Sequence, residues 1–169
     1  MSKLIGFDYG ASFNTFQTTT SASTSSTSMT ALGSVFVPGG NFSQGNAVRC
    51  QTYFDKTGTA NGFDINLYWN TVPNLSSGSP QLVGVFSATT TAAQYLPFYR
   101  VLMINDTTGS NTIIYNTTYI ASTSDLNPAT LAVQSASIDW TQDGYLVCAG
   151  RVLSASDVIN FRWAKVLNG

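Results

Sequence analysis

Residues 63–70 decide the fold class, and they read Phe-Asp-Ile-Asn-Leu-Tyr-Trp-Asn. Every second position carries a large apolar side chain, namely Phe63, Ile65, Leu67 and Trp69. A helical stripe through positions 63, 66, 67 and 70 would meet only two apolar side chains. Strict alternation with a period of two is typical of a strand that buries one face. The stretch therefore predicts a β-strand with one face in the core.

Short alternating runs of the same kind recur along most of the chain. They cover residues 32–37, 47–54, 81–86, 98–105, 112–120, 136–141 and 145–150. Turn residues separate the runs, and the pair Asp143-Gly144 predicts a two-residue hairpin loop that would place Trp140 opposite Val147. Many short strands at regular spacing are typical of a sandwich or jelly roll. We therefore predict an all-β fold, a single antiparallel β-sandwich that is jelly-roll-like and covers residues 31–169.

The last apolar segment, residues 157–167, fits two structures. Apolar side chains alternate from Ile159 to Trp163 as in a strand, with Lys165 as the exception. A helical stripe would equally be formed by Ile159, Trp163, Val166 and Leu167. The β-branched and aromatic content favours a closing strand.

The composition supports strands and restricts the available chemistry. Ser, Thr and Asn number 20, 22 and 13, while only 9% of the residues are charged and neither Glu nor His occurs. Abundant Ser, Thr and Asn disfavour helices. A hydrophobic content of 43% is too high for a disordered chain.

Catalytic and metal-binding motifs are missing from the sequence. Without histidine there is no imidazole base, no histidine ligand and no Ser-His or Cys-His pair. Carboxylate catalysis would need a pair of Asp residues meeting across a sheet, but most of the eight Asp residues lie in turns or on polar strand faces. Residues 106–111 resemble a calcium loop but lack its alternating acids and closing Glu. We predict a non-enzymatic protein without a cofactor.

The two cysteines and the net charge bear on compartment and partners. Cys50 and Cys148 lie in apolar alternating runs, which favours reduced core thiols over a bridge. A net charge of −1 without a basic stripe argues against a nucleic-acid partner. No apolar run is long enough to cross a membrane. The first residues lack the apolar core of a signal peptide, so we expect synthesis in a cytosol-like compartment.

Residues 1–30 differ in composition from the remainder of the chain. A Ser/Thr-rich stretch at 18–28 follows a short apolar piece, which predicts a linker because it cannot form a core. The large side chains ahead of it are Leu4, Ile5, Phe7, Tyr9, Phe13 and Phe16. One interpretation is a frayed terminus. The other is an extended N-terminal arm whose aromatic side chains dock on a neighbouring subunit.

One set of aromatic and polar residues is a candidate binding surface. Tyr68 alternates with Asp64 and Asn66, so these residues share the strand face opposite the apolar set. Trp140 is assigned to the same surface. Such a surface would lie under a second sheet, form a subunit interface rich in Tyr and poor in charge, or bind a glycan by stacking and hydrogen bonding.

The stretch from about Leu32 to Leu167 resembles the small all-β virion proteins of tailed bacteriophages. The resemblance is carried, in this order, by LGSVFVPGGNFSQGNAVRCQTYF, GFDINLYWN, YRVLMIND, SIDWTQDGYLVCAG and ASDVINFRWAKVL. It implies a jelly-roll-like sandwich, often trimeric, that decorates the head, forms a head fibre or belongs to the tail. The N-terminal arm would attach to the particle.

Together these observations predict a structural protein of the virion. It would self-associate, with a trimer favoured, and contact capsid proteins. The alternative is a tail-tip or receptor-binding module that recognises a glycan of the host surface.

Overall fold

The structure is a computed structural model that describes residues 15–18, 22–88, 95–106, 112–115 and 133–168. These residues form strands and connecting turns, without a helix. The strands are β1 (Thr15–Thr18), β2 (Ala22–Thr24), β3 (Thr30–Val37), β4 (Ala47–Thr57), β5 (Phe63–Asn70), β6 (Gln81–Ala88), β7 (Tyr95–Ile104), β8 (Thr112–Tyr115), β9 (Val133–Ala136), β10 (Gly144–Val152) and β11 (Val158–Asn168). The predicted all-β class is confirmed, and β5 has the predicted bounds.

Two antiparallel sheets form the layers of a sandwich. The large sheet has the order β1-β11-β4-β7-β8-β9, and β2 also pairs with β11. The small sheet has the order β3-β10-β5-β6. The chain passes between the sheets at β2–β3, β3–β4, β4–β5, β6–β7, β9–β10 and β10–β11. Because the chain crosses so often, neighbours within a sheet are mostly distant in sequence.

The inner faces of the two sheets meet in one hydrophobic cluster. The predicted inward set of β5 lies in it, with Phe63, Ile65, Leu67 and Trp69 at 4% exposure or less. Phe86 of the small sheet contacts Phe98 of the large sheet edge-on, with ring centroids 5.9 Å apart. Burial of this apolar surface is the main force that holds the layers together.

Two glycines let bulky rings approach the small sheet closely. A Cβ on Gly33 of β3 would lie 2.3 Å from Cε1 of Phe161 in the opposite sheet. A Cβ on Gly144 would lie 2.4 Å from Cζ2 of Trp69. Both distances are far below van der Waals contact, so these positions accept only glycine without movement of the ring.

The predicted hairpin at Asp143-Gly144 is wrong. β10 begins at Gly144 and pairs with β3 and β5, while β9 lies at the edge of the other sheet. Asp143 Oδ1 accepts a hydrogen bond from Gly39 N, 2.9 Å long. Trp140 O accepts one from Gly40 N, 2.8 Å long. These two hydrogen bonds attach the connection between β9 and β10 to the turn after β3, so that the connection crosses from the large sheet to the small sheet.

The closing segment is strand β11, as predicted, and it contains a β-bulge. Its register with β4 shifts between Phe161 and Trp163, which leaves Arg162 as an extra residue. The buried side chains of β11 are Ile159, Phe161, Ala164 and Val166. The bulge thus reverses the alternation and places Trp163 and Lys165 on the outer face. The apolar alternation of Ile159 and Phe161 therefore does not continue to Trp163.

Cys50 of β4 and Cys148 of β10 are free and buried, as predicted. Burial raises the pKa of Cys50 to about 12, against the opposing effect of the nearby Arg100 charge. Burial also raises the pKa of Cys148, and its interaction with Cys50 adds to the rise. Both thiols therefore stay protonated and act as small apolar side chains.

A buried ion pair joins the end of β4 to the start of β11. Lys56 Nζ lies 3.0 Å from Asp157 Oδ2, and the two side chains are 2% and 0% exposed. Asp157 Oδ1 accepts hydrogen bonds from Thr59 N at 2.6 Å and Thr59 Oγ1 at 2.8 Å. The backbone hydrogen bond from Thr59 is the main cause that lowers the pKa of Asp157, and Lys56 lowers it further. The Asp157 carboxylate is therefore charged and joins β4 to β11 in the fold.

Candidate binding surfaces

The outer face of the small sheet carries three of the four residues predicted as an interface or glycan surface. Asp64, Asn66 and Tyr68 lie there together, as alternation along β5 predicts. Asn66 Nδ2 donates a hydrogen bond to Tyr68 Oη at 2.8 Å. Arg151 stands opposite Asp64 on β10, with Nε 2.6 Å from Oδ2. The charges of Asp64 and Arg151 therefore cancel each other.

We call this surface the small-sheet face. It consists of Ser34, Phe36, Asp64, Asn66, Tyr68, Leu82, Val85, Tyr145, Val147, Ala149 and Arg151. Phe36 and Leu82 are 45% and 39% exposed. The Phe36 ring packs on Tyr145 with centroids 5.3 Å apart. Between the larger side chains, Val147 on the central strand β10 is fully buried. The layer is thus closely packed and rich in aromatic and aliphatic side chains, and its two charged residues, Asp64 and Arg151, are paired with each other.

Trp140, the fourth predicted residue, does not lie on this face. Its side chain is 2% exposed and packs against Trp69 and Phe42, with ring centroids 4.4 and 5.5 Å away. The alternation that follows β9 explains this position, because Ala136 and Ile138 are buried on the same side as Trp140. The assignment of Trp140 to a binding surface is wrong, and Trp140 is a core residue.

The predicted N-terminal arm falls partly within the described residues. Leu4, Ile5, Phe7, Tyr9 and Phe13 lie outside them. Phe16 is half-buried on β1 and meets Phe42 edge-on, with centroids 6.1 Å apart. Strands β1 and β2 both pair with the edge of β11. Phe16 therefore packs on its own chain, and part of the Ser/Thr-rich stretch is a strand of the sandwich instead of a spacer.

The outer face of the large sheet carries a second surface, which we call the aromatic row. It consists of Tyr95 on β7, Tyr53 on β4 and Trp163 on β11. The Tyr53 ring lies 6.4 Å from Tyr95 and 6.1 Å from Trp163, at interplanar angles of 15° and 18°. Tyr95 is 70% exposed. Three nearly parallel rings thus extend across three adjacent strands.

Charged and amide side chains border the aromatic row. Arg162 Nε forms an ion pair with Asp55 Oδ2, and Asn160 Nδ2 donates to Asp55 Oδ1 at 2.6 Å. The hydrogen bond to Asp55 and its charge raise the pKa of Arg162. Lys165 Nζ lies 5.5 Å from the centroid of the Trp163 ring, within cation–π range.

Sequence reasoning missed the aromatic row for two reasons. The predicted strand at 98–105 began too late to include Tyr95, although Tyr95, Pro97 and Tyr99 already alternate with buried neighbours. Trp163 reaches the outer face through the bulge at Arg162. The signal for that bulge is the phase change from Ile159 and Phe161 to Ala164 and Val166 in the apolar pattern.

The described carboxylates each have a partner of their own. Asp55, Asp64 and Asp157 pair with cations. Asp139 accepts hydrogen bonds from Thr141, and Asp143 accepts one from Gly39. Among the described residues, no three His, Cys, Asp or Glu side chains are grouped as metal ligands would be. Residues 107–111 of the calcium-like loop lie outside the described part of the chain.

Comparisons with known proteins add no assignment. No family model, no curated protein and no solved structure matches the chain. The described residues also include no helix with the length and apolar character needed to cross a membrane.

Proposed function

We propose that the chain is a non-enzymatic structural protein of a bacteriophage particle. It self-associates, with a trimer favoured, and attaches to the capsid as a decoration or head-fibre protein. Attachment to the tail is the alternative position. The sequence pattern shared with small all-β virion proteins supports this proposal, and so does the low charge of a chain with 9% charged residues.

The observation that carries the proposal is the chemistry of the small-sheet face. Subunit interfaces are depleted of charge and enriched in aromatic residues at their centre. Phe36 and Leu82 are exposed here, and the charge of Arg151 is paired with Asp64. A second copy of this chain could cover the face without leaving an unpaired charge. Contacts of this kind depend little on ionic strength.

Light scattering tests self-association. We expect the mass of an oligomer, with three chains favoured, at low salt and again at about 1 M salt. Phe36→Asp places a charge in the interface and should release monomers. Leu153→Asp is the matched control, because Leu153 is 50% exposed in the turn after β10, outside the small-sheet face. If the protein is a monomer under both salt conditions, self-association is contradicted. If Leu153→Asp dissociates the oligomer as much as Phe36→Asp does, the small-sheet face is not the interface.

Truncation tests attachment to the particle. Deleting residues 1–14 keeps β1 and β2 on the edge of β11, so the truncated domain should still fold. The truncated chain should no longer co-purify with intact particles from cells that express it in its native gene context. Normal incorporation of the truncated chain would contradict an attaching arm. Failure of the full chain to co-purify with any particle would contradict the virion proposal itself.

A further inference from the structure

The aromatic row has side chains whose exposure the fold itself does not explain. Tyr95 of the aromatic row is 70% exposed and its neighbour Tyr99, outside the row, is 53% exposed, whereas the intervening Leu96 and Phe98 on the other side of β7 are 5% exposed. The core is therefore complete without the outward rings. Large rings held side by side at the surface indicate a binding surface more than scattered apolar residues do.

Two polar borders run along the aromatic row. On one side, Asn160 stands opposite Asp55. On the other side, Lys165 stands opposite Gln51, which in turn faces Tyr99. Amide groups both donate and accept hydrogen bonds, the ammonium donates and the carboxylate accepts. The surface thus combines flat apolar rings with donors and acceptors at their edges.

The charges near the row decide which ligand class fits. Single-stranded nucleic acid also stacks on aromatic rings, but it needs a positive groove, and here Asp55 neutralises Arg162. A cationic ligand held by ring faces would be repelled by Lys165, which already lies near the Trp163 ring. An uncharged ligand with an apolar face and many hydroxyl groups fits the rings and their hydrogen-bonding borders without requiring a counter-charge.

We propose that the aromatic row is a binding site for a neutral oligosaccharide. The C–H face of a sugar ring packs on the exposed Tyr95 ring, whose face carries the negative side of the ring quadrupole. Sugar hydroxyl groups exchange hydrogen bonds with Asn160 and Gln51 and accept one from Lys165. The site lies on the opposite side of the sandwich from the small-sheet face, so sugar binding is separate from self-association and does not depend on the particle.

Intrinsic fluorescence offers a selective readout of this site. Trp69 and Trp140 are core residues at 4% and 2% exposure, so a ligand on the large sheet changes chiefly the emission of Trp163. The probes are neutral cello-, malto-, xylo- and chito-oligosaccharides, titrated into the full chain up to millimolar concentration. We expect at least one series to give a saturable change and protection of Trp163 from acrylamide quenching.

Matched variants locate the binding. Tyr95→Ala should weaken the affinity about tenfold or more, because a lost stacking ring typically costs that much. Its melting temperature should stay near that of the wild type, since the side chain is largely exposed. Leu153→Ala is the control, because it removes an exposed apolar side chain that lies in the turn after β10, outside both surfaces, and should leave the affinity unchanged.

Several outcomes would overturn this proposal. The first is the absence of a saturable change with every probe. The second is equal binding by Tyr95→Ala and the wild type. The third is a change in oligomeric mass for Tyr95→Ala by light scattering, which would make the row an interface between copies. None of these results bears on the particle co-purification that tests the proposed function.

Discussion

Gly33→Ala should destabilise the protein, although replacing a glycine by alanine at a compatible position usually stabilises a protein. At a position without obstruction the change is worth about 0.4–1 kcal/mol in favour of alanine, because the unfolded chain loses freedom. At Gly33 the new Cβ would lie 2.3 Å from Cε1, 2.7 Å from Cδ1 and 2.9 Å from Cζ of Phe161. Phe161 is fully buried between the sheets, so its ring has little space to move.

The expected cost follows from overpacking of a dense core. Forcing an extra carbon into such a site costs about 1–3 kcal/mol. For a chain of this size that corresponds to a decrease in melting temperature of about 2–12 °C. Urea unfolding followed by far-UV circular dichroism should show a lower midpoint with an unchanged slope. Ser34→Ala is the matched control, because Ser34 is the next residue of β3 but lies on the outer face.

A double-mutant cycle tests whether Phe161 is the cause. Phe161→Leu removes the ring atoms that the new Cβ would meet, so Gly33→Ala should cost less in that background. The coupling energy should fall in the range of about 0.5–3 kcal/mol observed for residues in contact. If Gly33→Ala is as stable as the wild type, or if the two substitutions are additive, the close approach of β3 to Phe161 is refuted.

Three further predictions concern the core and its buried polar groups. Trp140→Ala should lower the free energy of unfolding by about 3–5 kcal/mol, measured by urea unfolding, because Trp140 is a core residue; a change below about 0.5 kcal/mol, typical of surface substitutions, would return Trp140 to the surface. The folded-state pKa of Asp157 is lowered, so its contribution to stability is complete above the ordinary value of 3.8 and is lost as the pH falls through the folded value. Unfolding of Asp157→Asn should therefore depend less on pH below about 4 than that of the wild type, and identical pH profiles would contradict this. Cys50 and Cys148 should resist a thiol reagent at neutral pH in the native protein and react after unfolding, because burial raises both pKa values; rapid native-state labelling would contradict their burial.

The sequence predicts most of the strands because their determinants are local, whereas β1, β2 and β9 are not predicted. Alternation alone locates β5 to the residue, and the β-branched and aromatic content of the closing segment identifies it as a strand. The Asp143-Gly144 turn shows where local reasoning fails. Those two residues fit a hairpin, but the hydrogen bond from Gly39 to Asp143 joins residues 104 positions apart. A contact of this kind depends on which strands share a sheet, and the turn sequence carries no information on that.

The candidate surfaces differ in the same way. Asp64, Asn66 and Tyr68 share a face because they alternate within one strand, so their grouping is predictable. The aromatic row joins three strands whose neighbours follow from the sheet order β11-β4-β7. The burial of Lys56 also depends on a distant residue, because its partner Asp157 lies near the other end of the chain. Residues that meet across strands need the topology before they can be grouped.

The bulge in β11 links the stability of the core to the aromatic row. If Arg162 were a regular position of the strand and no bulge were present, strict alternation from Ile159 would carry Trp163 and Lys165 inward. Burying the ammonium of Lys165 in an apolar cluster is costly unless a counter-charge is present. The bulge instead brings Ala164 and Val166 into the core and leaves Lys165 outside, near the Trp163 ring. The one-residue shift that keeps a charge out of the core therefore also presents a tryptophan beside Tyr53 on the outer surface.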